Sequence, residues 1–157
     1  MTTQPGGIPL ERIAQDLDAL LRTSETPDYK TALNGVQLAN RTPITKVAAA
    51  VDCSRFTIEQ TIAQGANLLL VHHGLFWGGL QPLTGPHLER VRLLIDHDVA
   101  LYAAHLPLDA HERIGKLCVC TVRPAGTSRW VGCAVAKGHV GVCRPRVSRT
   151  SLASMVG

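Results

Sequence analysis

The feature that most constrains the fold of this chain is an alternation of short apolar runs and helical patterns between residues 46 and 103. Three apolar runs have the length of a β-strand: Lys46–Val51, Leu68–Val71 and Val99–Ala103. A helical pattern separates each run from the next, the first over about 55–64 behind the capping residue Ser54, and the second over Leu88–Ile95. This order predicts an α/β layered fold in which a mostly parallel sheet, joined by right-handed crossovers, is flanked by helices.

Two further elements precede this alternation. Apolar residues at three- and four-residue intervals predict an amphipathic helix over Leu10–Leu21, with Pro9 at its start. Asn34-Gly35 is a turn signal, and Val36–Ala39 behind it is a short strand candidate. The chain has 157 residues, 45% of them hydrophobic, which is enough for one domain with a sizeable core.

Charge divides the chain into two unequal parts. Residues 1–115 hold nine Lys and Arg and twelve Asp and Glu, whereas residues 116–157 hold seven Lys and Arg and no acidic residue. Four of the five cysteines also lie in the second part: Cys118, Cys120, Cys133 and Cys143. We therefore predict a globular part over 1–115 and an atypical basic tail over 116–157. The abrupt change near Lys116 motivates two hypotheses, a shifted reading frame or a degenerate end.

The tail contains few features that define a fold or a site. Short strands are candidates at Cys118–Val122 and Val131–Ala136. The cysteines lack the paired C-x2-C spacing of zinc ribbons, which favours reduced, unordered thiols over a competing metal site. The basic residues lack interleaved aromatic residues apart from Trp130, which argues against a nucleic-acid partner.

No segment has the character of a membrane span or of a leader. No apolar run reaches the roughly 18 to 20 residues that cross a bilayer. Met1–Pro9 lacks the basic cluster and apolar core of a secretory signal. We expect a cytoplasmic protein with no membrane partner.

Two adjacent histidines, His72 and His73, follow directly on the apolar run that ends at Val71. In open α/β sheets, functional groups gather outside the carboxyl ends of the strands. Neutral imidazole is a common ligand for zinc, iron and related divalent ions, so the doublet is a candidate metal site. The alternative is chance, because a chain with seven histidines often contains an adjacent pair.

Asp109 follows the next strand candidate along the chain, in the segment His105–Asp109. A carboxylate has two oxygens and bridges two metal ions, which an imidazole does not do. The alternative is that Asp109 caps a helix beginning near Ala110. His105 is open to several roles: a metal ligand, a hydrogen-bonding support for a ligand, a proton carrier, or a partly buried loop histidine.

Phe76 and Trp77 lie beside the histidines in the sequence and have two interpretations. They wall a metal pocket and exclude water, or they pack an interface between subunits, and the second is favoured because the chain has only six aromatic residues of the Phe, Trp and Tyr types. The nearby glycines permit a tight loop, but the phosphate-binding pattern G-x-x-x-x-G-K-[ST] is absent.

Three segments together resemble the Nif-three-like family, also called the GTP cyclohydrolase I type 2 homologues. Gly65–Trp77 (GANLLLVHHGLFW) resembles the hallmark segment of that family, Asn34–Gln37 (NGVQ) its early turn, and Ala104–His111 (AHLPLDAH) its second ligand segment. The three occur in the family's order and lie within about the first 115 residues.

The resemblance implies a dinuclear centre of divalent cations (zinc, iron or manganese) and a toroidal homo-oligomer, usually a hexamer. Carried over to this chain, the metal ligands are His72, His73 and Asp109. The family also supplies a His-x-x-x-Glu pair near its C-terminus. Here the tail has His139-x-x-x-Cys143 and no Glu after Glu112, so we do not transfer a ligand role to it. The second half of the family fold is therefore expected to be truncated or altered, and this chain to bind fewer ions.

Two functions of different classes follow. The first is a metal-dependent hydrolase, because a divalent ion lowers the pKa of bound water towards neutrality; the family name suggests GTP as the substrate. The second is a metal-binding or regulatory assembly protein without turnover, or an inactive truncated homologue.

Overall fold

The computed structural model describes residues 6–112, residue 114 and the backbone of 141–143, and within them it contains one mixed sheet and four helices. The helices are α1 (Leu10–Leu21), α2 (Arg55–Ala63), α3 (Gly85–Asp96) and the short α4 (Leu106–Asp109). The strands are β1 (Gly35–Leu38), β2 (Val47–Asp52), β3 (Leu68–His73), β4 (Ala100–Ala103) and β5 (Gly141–Cys143). None of these helices has the length and apolar character needed to cross a membrane.

The sheet has the strand order β1-β4-β3-β2-β5. The three central strands are parallel, since β3 pairs with β2 on one side and with β4 on the other. The edge strands β1 and β5 run antiparallel to β4 and β2. The predicted α/β alternation with a parallel centre is therefore confirmed. The antiparallel pairing of the two edge strands was not predicted.

The sheet separates two apolar cores. On one face, α2 and α3 cover β-strand residues such as Leu69, Val71 and Leu101, all fully buried. On the other face, α1 packs on a second set that includes Leu68 and Tyr102. Successive residues of one strand face opposite layers. Both faces of the strands are thus covered, as the continuous apolar runs predicted.

Local signals at the element ends are mostly confirmed. Ser54 caps α2 through a capping box: its hydroxyl accepts from the Thr57 backbone N–H, and the Thr57 hydroxyl accepts from the Ser54 backbone N–H. The predicted end of the central strand at Val71 is wrong, because β3 continues through His73, which pairs with Asp52 on β2.

The tail is described only at one place. β5, at Gly141–Cys143, is a strand that the sequence patterns did not predict. The candidate strands at Cys118–Val122 and Val131–Ala136 lie outside the described residues, as does His139. The division into parts 1–115 and 116–157 stays a prediction.

Candidate metal centre

The carboxyl ends of the two neighbouring parallel strands β3 and β4 bring together four residues that the sequence singled out: His72, His73, His105 and Asp109. His72 and His73 are the last two residues of β3. His105 follows β4 by two positions and precedes α4, in which Asp109 is the last residue. Because parallel strands end at the same edge of the sheet, side chains distant in sequence meet there.

Three imidazoles form the centre of the cluster. His72, His73 and His105 each offer a ring nitrogen within 4.8 Å of those of the other two. The ring centroid of His72 lies 4.4 Å from that of His73 and 4.6 Å from that of His105. His72 and His105 are buried and His73 is half-buried. Although β3 continues through both members of the doublet, their rings meet because they stand at the rim of the sheet.

A hydrogen bond at Nδ1 orients each ring. Nδ1 of His72 lies 3.2 Å from the carbonyl oxygen of Ala104, Nδ1 of His73 lies 2.7 Å from Oδ1 of Asp52, and Nδ1 of His105 lies 2.9 Å from Oδ1 of Asp28. A carbonyl or carboxylate oxygen only accepts, so each Nδ1 carries the proton. Nε2 is then the nitrogen with a lone pair, which is the arrangement of histidines that bind metals.

Asp28 is the most extensively hydrogen-bonded of these orienting groups. Besides His105, it accepts from the Asn34 side chain at 2.8 Å and from the backbone N–H groups of Leu106 and Tyr29 at 2.9 and 2.7 Å. Burial acts to raise the pKa of Asp28, but the hydrogen bonds from Asn34, His105 and the two backbone groups outweigh it, so the pKa lies below its ordinary value. The carboxylate is therefore held in its charged form.

Asp109 lies next to the imidazoles and has an unsatisfied oxygen. Its Oδ2 is 3.7 Å from Nε2 of His72. Its Oδ1 is buried and has no hydrogen-bond partner among the described residues. The alternative of a helix-capping aspartate is wrong, because Asp109 is the last residue of α4 rather than the residue before a helix.

The donor set fits a divalent cation. The three imidazoles, whose ring nitrogens lie within 4.8 Å of one another, are nitrogen ligands that zinc and related ions prefer, and the Asp109 carboxylate places an oxygen 3.7 Å from one of them. A buried carboxylate oxygen without a protein donor is costly unless a cation or water satisfies it. Oδ1 of Asp109, which has no hydrogen-bond partner within the described part of the chain, is therefore an observation that favours a cation here.

The two aromatic residues beside the histidines have different surroundings. The Trp77 ring lies against the cluster, with its centroid 4.0 Å from that of His105 and 5.3 Å from that of His73. Tyr29 packs edge-on against Trp77 at 5.8 Å. Phe76 instead packs on the apolar core and meets His87 edge-on. Trp77 thus forms a wall of the site, which is the interpretation that the sequence favours less. Phe76 is a packing residue.

The two supporting carboxylates, Asp52 and Asp28, are not among the residues that the sequence predicts for the site. Asp52 had a usable signal, since it ends the β2 run and so belongs to the same sheet edge as the histidines. Asp28 had none, because it lies in an irregular connection between α1 and β1. Its approach to His105 depends on how that connection folds across the strand ends.

Several known proteins match most of this chain. The model of the family described as Duf34/NIF3 (NGG1p interacting factor 3) matches residues 9–119. A Deinococcus radiodurans protein named GTP cyclohydrolase 1 type 2 homolog is 47% identical over 113 residues, which are 72% of this chain and 42% of that protein. A Treponema pallidum protein of the same name is 49% identical over 107 residues, 65% of this chain and 37% of that protein.

A solved structure has the same fold. The crystal structure of a Thermus thermophilus protein superposes with a TM-score of 0.66 at 39% identity, covering 69% of this chain and 45% of the other. This chain therefore spans less than half the length of the relatives that it matches.

Proposed function

Because this chain belongs to the Duf34/NIF3 family, we propose that it binds a divalent cation through His72, His73 and Asp109 and acts as a metal-dependent hydrolase. The observation that carries the proposal is the convergence of three oriented imidazoles and one carboxylate with an unsatisfied oxygen at the carboxyl ends of β3 and β4. Relatives named GTP cyclohydrolase 1 type 2 homolog make GTP the first substrate to assay.

The residues around the cation would have different roles. When bound, a divalent cation supplies Lewis-acid chemistry and lowers the pKa of water towards neutrality. Asp52 and Asp28 keep the rings of His73 and His105 turned with Nε2 towards the centre. Trp77 excludes water from one side of the cluster. Exclusion of water strengthens the electrostatic interactions inside the site.

His105 has two roles open to it within this proposal. Its ring nitrogen lies close enough to those of His72 and His73 to be a further ligand. If it is not a ligand, Nε2 accepts a proton from the reacting groups, and the Asp28 carboxylate at 2.9 Å from Nδ1 stabilises the resulting imidazolium. Both roles need the same ring orientation.

The number of ions follows from the number of donors. His72, His73 and Asp109 supply three donors, and the fourth position of a zinc ion would be taken by water or by His105. We propose one tightly held cation (zinc, iron or manganese) for the described part of the chain. A second ion would need donors from water, from a neighbouring subunit or from residues outside the described part. A homo-oligomer, as the family resemblance implies, is part of this proposal.

Metal content tests the site. Purified tag-free protein should contain about one equivalent of a divalent metal, measured by inductively coupled plasma mass spectrometry. The double variant His72→Ala/His73→Ala should lose it. His97→Ala is the matched control, because His97 is exposed and follows the end of α3. Retention of the metal by the double variant would refute the assignment.

One observation favours a second function, metal binding without turnover. If all three histidines and Asp109 bind one ion, its tetrahedral shell is closed, as in structural rather than catalytic sites. Incubation of the metal-loaded protein with GTP and with a panel of phosphoesters separates the two functions. Turnover that is lost in the His72→Ala/His73→Ala variant supports the hydrolase. Full metal loading without turnover supports the non-enzymatic protein.

A further inference from the structure

A pocket of about 310 Å³ adjoins the metal centre and extends away from it towards α2 and α3. His73 and Trp77 form the wall shared with the metal cluster, and Cys53, Ser54 and Arg90 line the other side. The volume is at the lower end of the range for small-molecule sites. A molecule in this pocket would therefore touch the metal centre at one end and Arg90 at the other.

Arg90 has an uncompensated charge. Among the described residues, no carboxylate lies within 4.0 Å of its guanidinium, whereas exposed arginines such as Arg55 on α2 form ion pairs. Two contacts of Arg90 are with a backbone carbonyl and an imidazole: Nη1 donates to the Cys53 carbonyl oxygen at 3.5 Å, and Nη2 lies 3.4 Å from Nδ1 of His87. Both distances exceed those of normal hydrogen bonds.

The Nε–H group of Arg90 is buried and has no acceptor among the described residues. A half-buried guanidinium with two long contacts and one unsatisfied donor is an unusual state, because arginine forms its strongest hydrogen bonds with carboxylate and phosphate. The side chain is kept at the pocket although nothing in the described part of the chain neutralises it.

The remaining walls favour an anion at this end of the pocket. Ser54 is the N-cap of the nine-residue helix α2, so the positive end of that helix faces the pocket. Among the described lining residues the acidic side chain is Asp52, and its Oδ1 is hydrogen-bonded to His73 at the metal end. Negative charge is therefore concentrated beside the imidazoles, and positive charge at Arg90.

We infer that Arg90 and this pocket form a binding site for an oxyanion, a phosphate or carboxylate group carried by the molecule on which the metal centre acts. The inference rests on the proposed function for the link to the metal centre, but the oxyanion site stands on the contacts of Arg90 itself. A guanidinium offers the same paired donors to both anions, so the two share one chemistry.

The test measures binding of inorganic phosphate to the full chain by equilibrium dialysis, in the presence of a chelator and at constant ionic strength. Arg90→Gln should weaken binding about tenfold or more, because charge-assisted hydrogen bonds are lost. Arg90→Lys keeps the charge but loses the planar guanidinium, so its phosphate affinity should lie between those of the unaltered chain and of Arg90→Gln. Arg92→Gln is the matched control, since Arg92 is exposed on the same helix and the change in charge is identical.

Equal phosphate binding by Arg90→Gln and Arg92→Gln would overturn the inference. The absence of binding to the unaltered chain at about 10 mM phosphate would overturn it as well. Competition by acetate identifies the source: acetate displaces phosphate from a carboxylate site and fails to do so at a phosphoryl site. Because the chelator removes any metal, phosphate binding in this assay does not depend on the metal site. Arg90→Gln should keep the metal content of the unaltered chain in a separate measurement without chelator, so failure of one proposal is distinguishable from failure of the other.

Discussion

Oδ1 of Asp28 lies 2.9 Å from Nδ1 of His105, although 77 positions separate the two residues in the sequence. Oδ2 of the same carboxylate accepts from the backbone N–H of Leu106, the first residue of α4. The Asn34 side chain bridges the pair, since its amide donates to Asp28 and its oxygen accepts from the His105 backbone N–H. One carboxylate thus orients an imidazole and anchors the helical turn that carries Asp109.

The first prediction concerns this carboxylate. Asp28→Asn keeps the size of the side chain but removes its charge, and we expect metal affinity to fall roughly 10- to 100-fold, as for other groups that support metal-bound histidines. Competition with a chromophoric chelator measures the affinity. Asp96→Asn is the control, because Asp96 is exposed at the end of α3. Unchanged affinity in Asp28→Asn would show that His105 does not need its partner.

The second prediction concerns Gly74, which follows the histidine doublet. A Cβ at this position would overlap the carboxamide of Gln37. That carboxamide accepts from the Leu75 backbone N–H at 2.8 Å and donates to the Leu33 carbonyl oxygen at 2.9 Å. Gly74→Ala should displace it and shift the loop that carries Trp77.

We therefore expect Gly74→Ala to weaken metal binding several-fold without removing a ligand. Displacement titration against a chelator measures it. The matched control is Gly6→Ala, since a Cβ at Gly6 meets nothing within 4 Å. If the two variants bind metal equally well, the packing of Gly74 against Gln37 is unimportant for the site.

The third prediction concerns the core beneath α1. The fully buried Tyr102 donates from its hydroxyl to Oδ1 of Asp18 at 2.6 Å. Burial, followed by the hydrogen bond to Asp18, raises the pKa of Tyr102, so the hydroxyl keeps its proton. Tyr102→Phe should lower the free energy of unfolding by about 1.5 to 3 kcal/mol, the range for hydrogen bonds to charged groups. Urea denaturation measures it, with the exposed Tyr29→Phe as control. A change of similar size in both variants would contradict the prediction.

The fourth prediction is a pH dependence from Asp98, which holds the connection between β1 and β2. Its carboxylate accepts from the Thr42 hydroxyl at 2.6 Å and from the Arg41 backbone N–H at 2.8 Å. These hydrogen bonds lower the pKa of Asp98 below its ordinary value of 3.8, and the bond from the Thr42 hydroxyl has the largest effect. The folded state thus favours the ionised form, so this contribution to stability is present above pH 3.8 and is lost as the pH falls through the lowered pKa.

Asp98→Asn should therefore be less stable than the unaltered chain near neutral pH, and the difference should shrink in acid. Urea denaturation at about pH 7 and about pH 3 tests this. A difference that is constant over this range would show that the charge of Asp98 does not contribute.

Much of the layered architecture could be predicted from the sequence, because it depends on local periodicity. The cap at Ser54 is confirmed, and the predicted ends of β2, β3 and β4 agree with the observed ends to within one or two residues. The same patterns place His72, His73 and Asp109 after consecutive parallel strands, and parallel strands share one edge for their carboxyl ends. The placement of these residues at one edge of the sheet was therefore predictable from the sequence, and their role as metal ligands stays a prediction that the family resemblance implies.

Other features depended on tertiary structure, since they join residues that no local pattern relates. The antiparallel pairing of β1 with β4 places Asn34 beside His105, and the fold of the α1–β1 connection brings Asp28 to the same ring. The loop after β3 turns Trp77 onto the imidazoles but Phe76 into the core. Periodicity assigns a residue to one face of an element, whereas the identity of its neighbour across a layer depends on packing, which is collective and non-local.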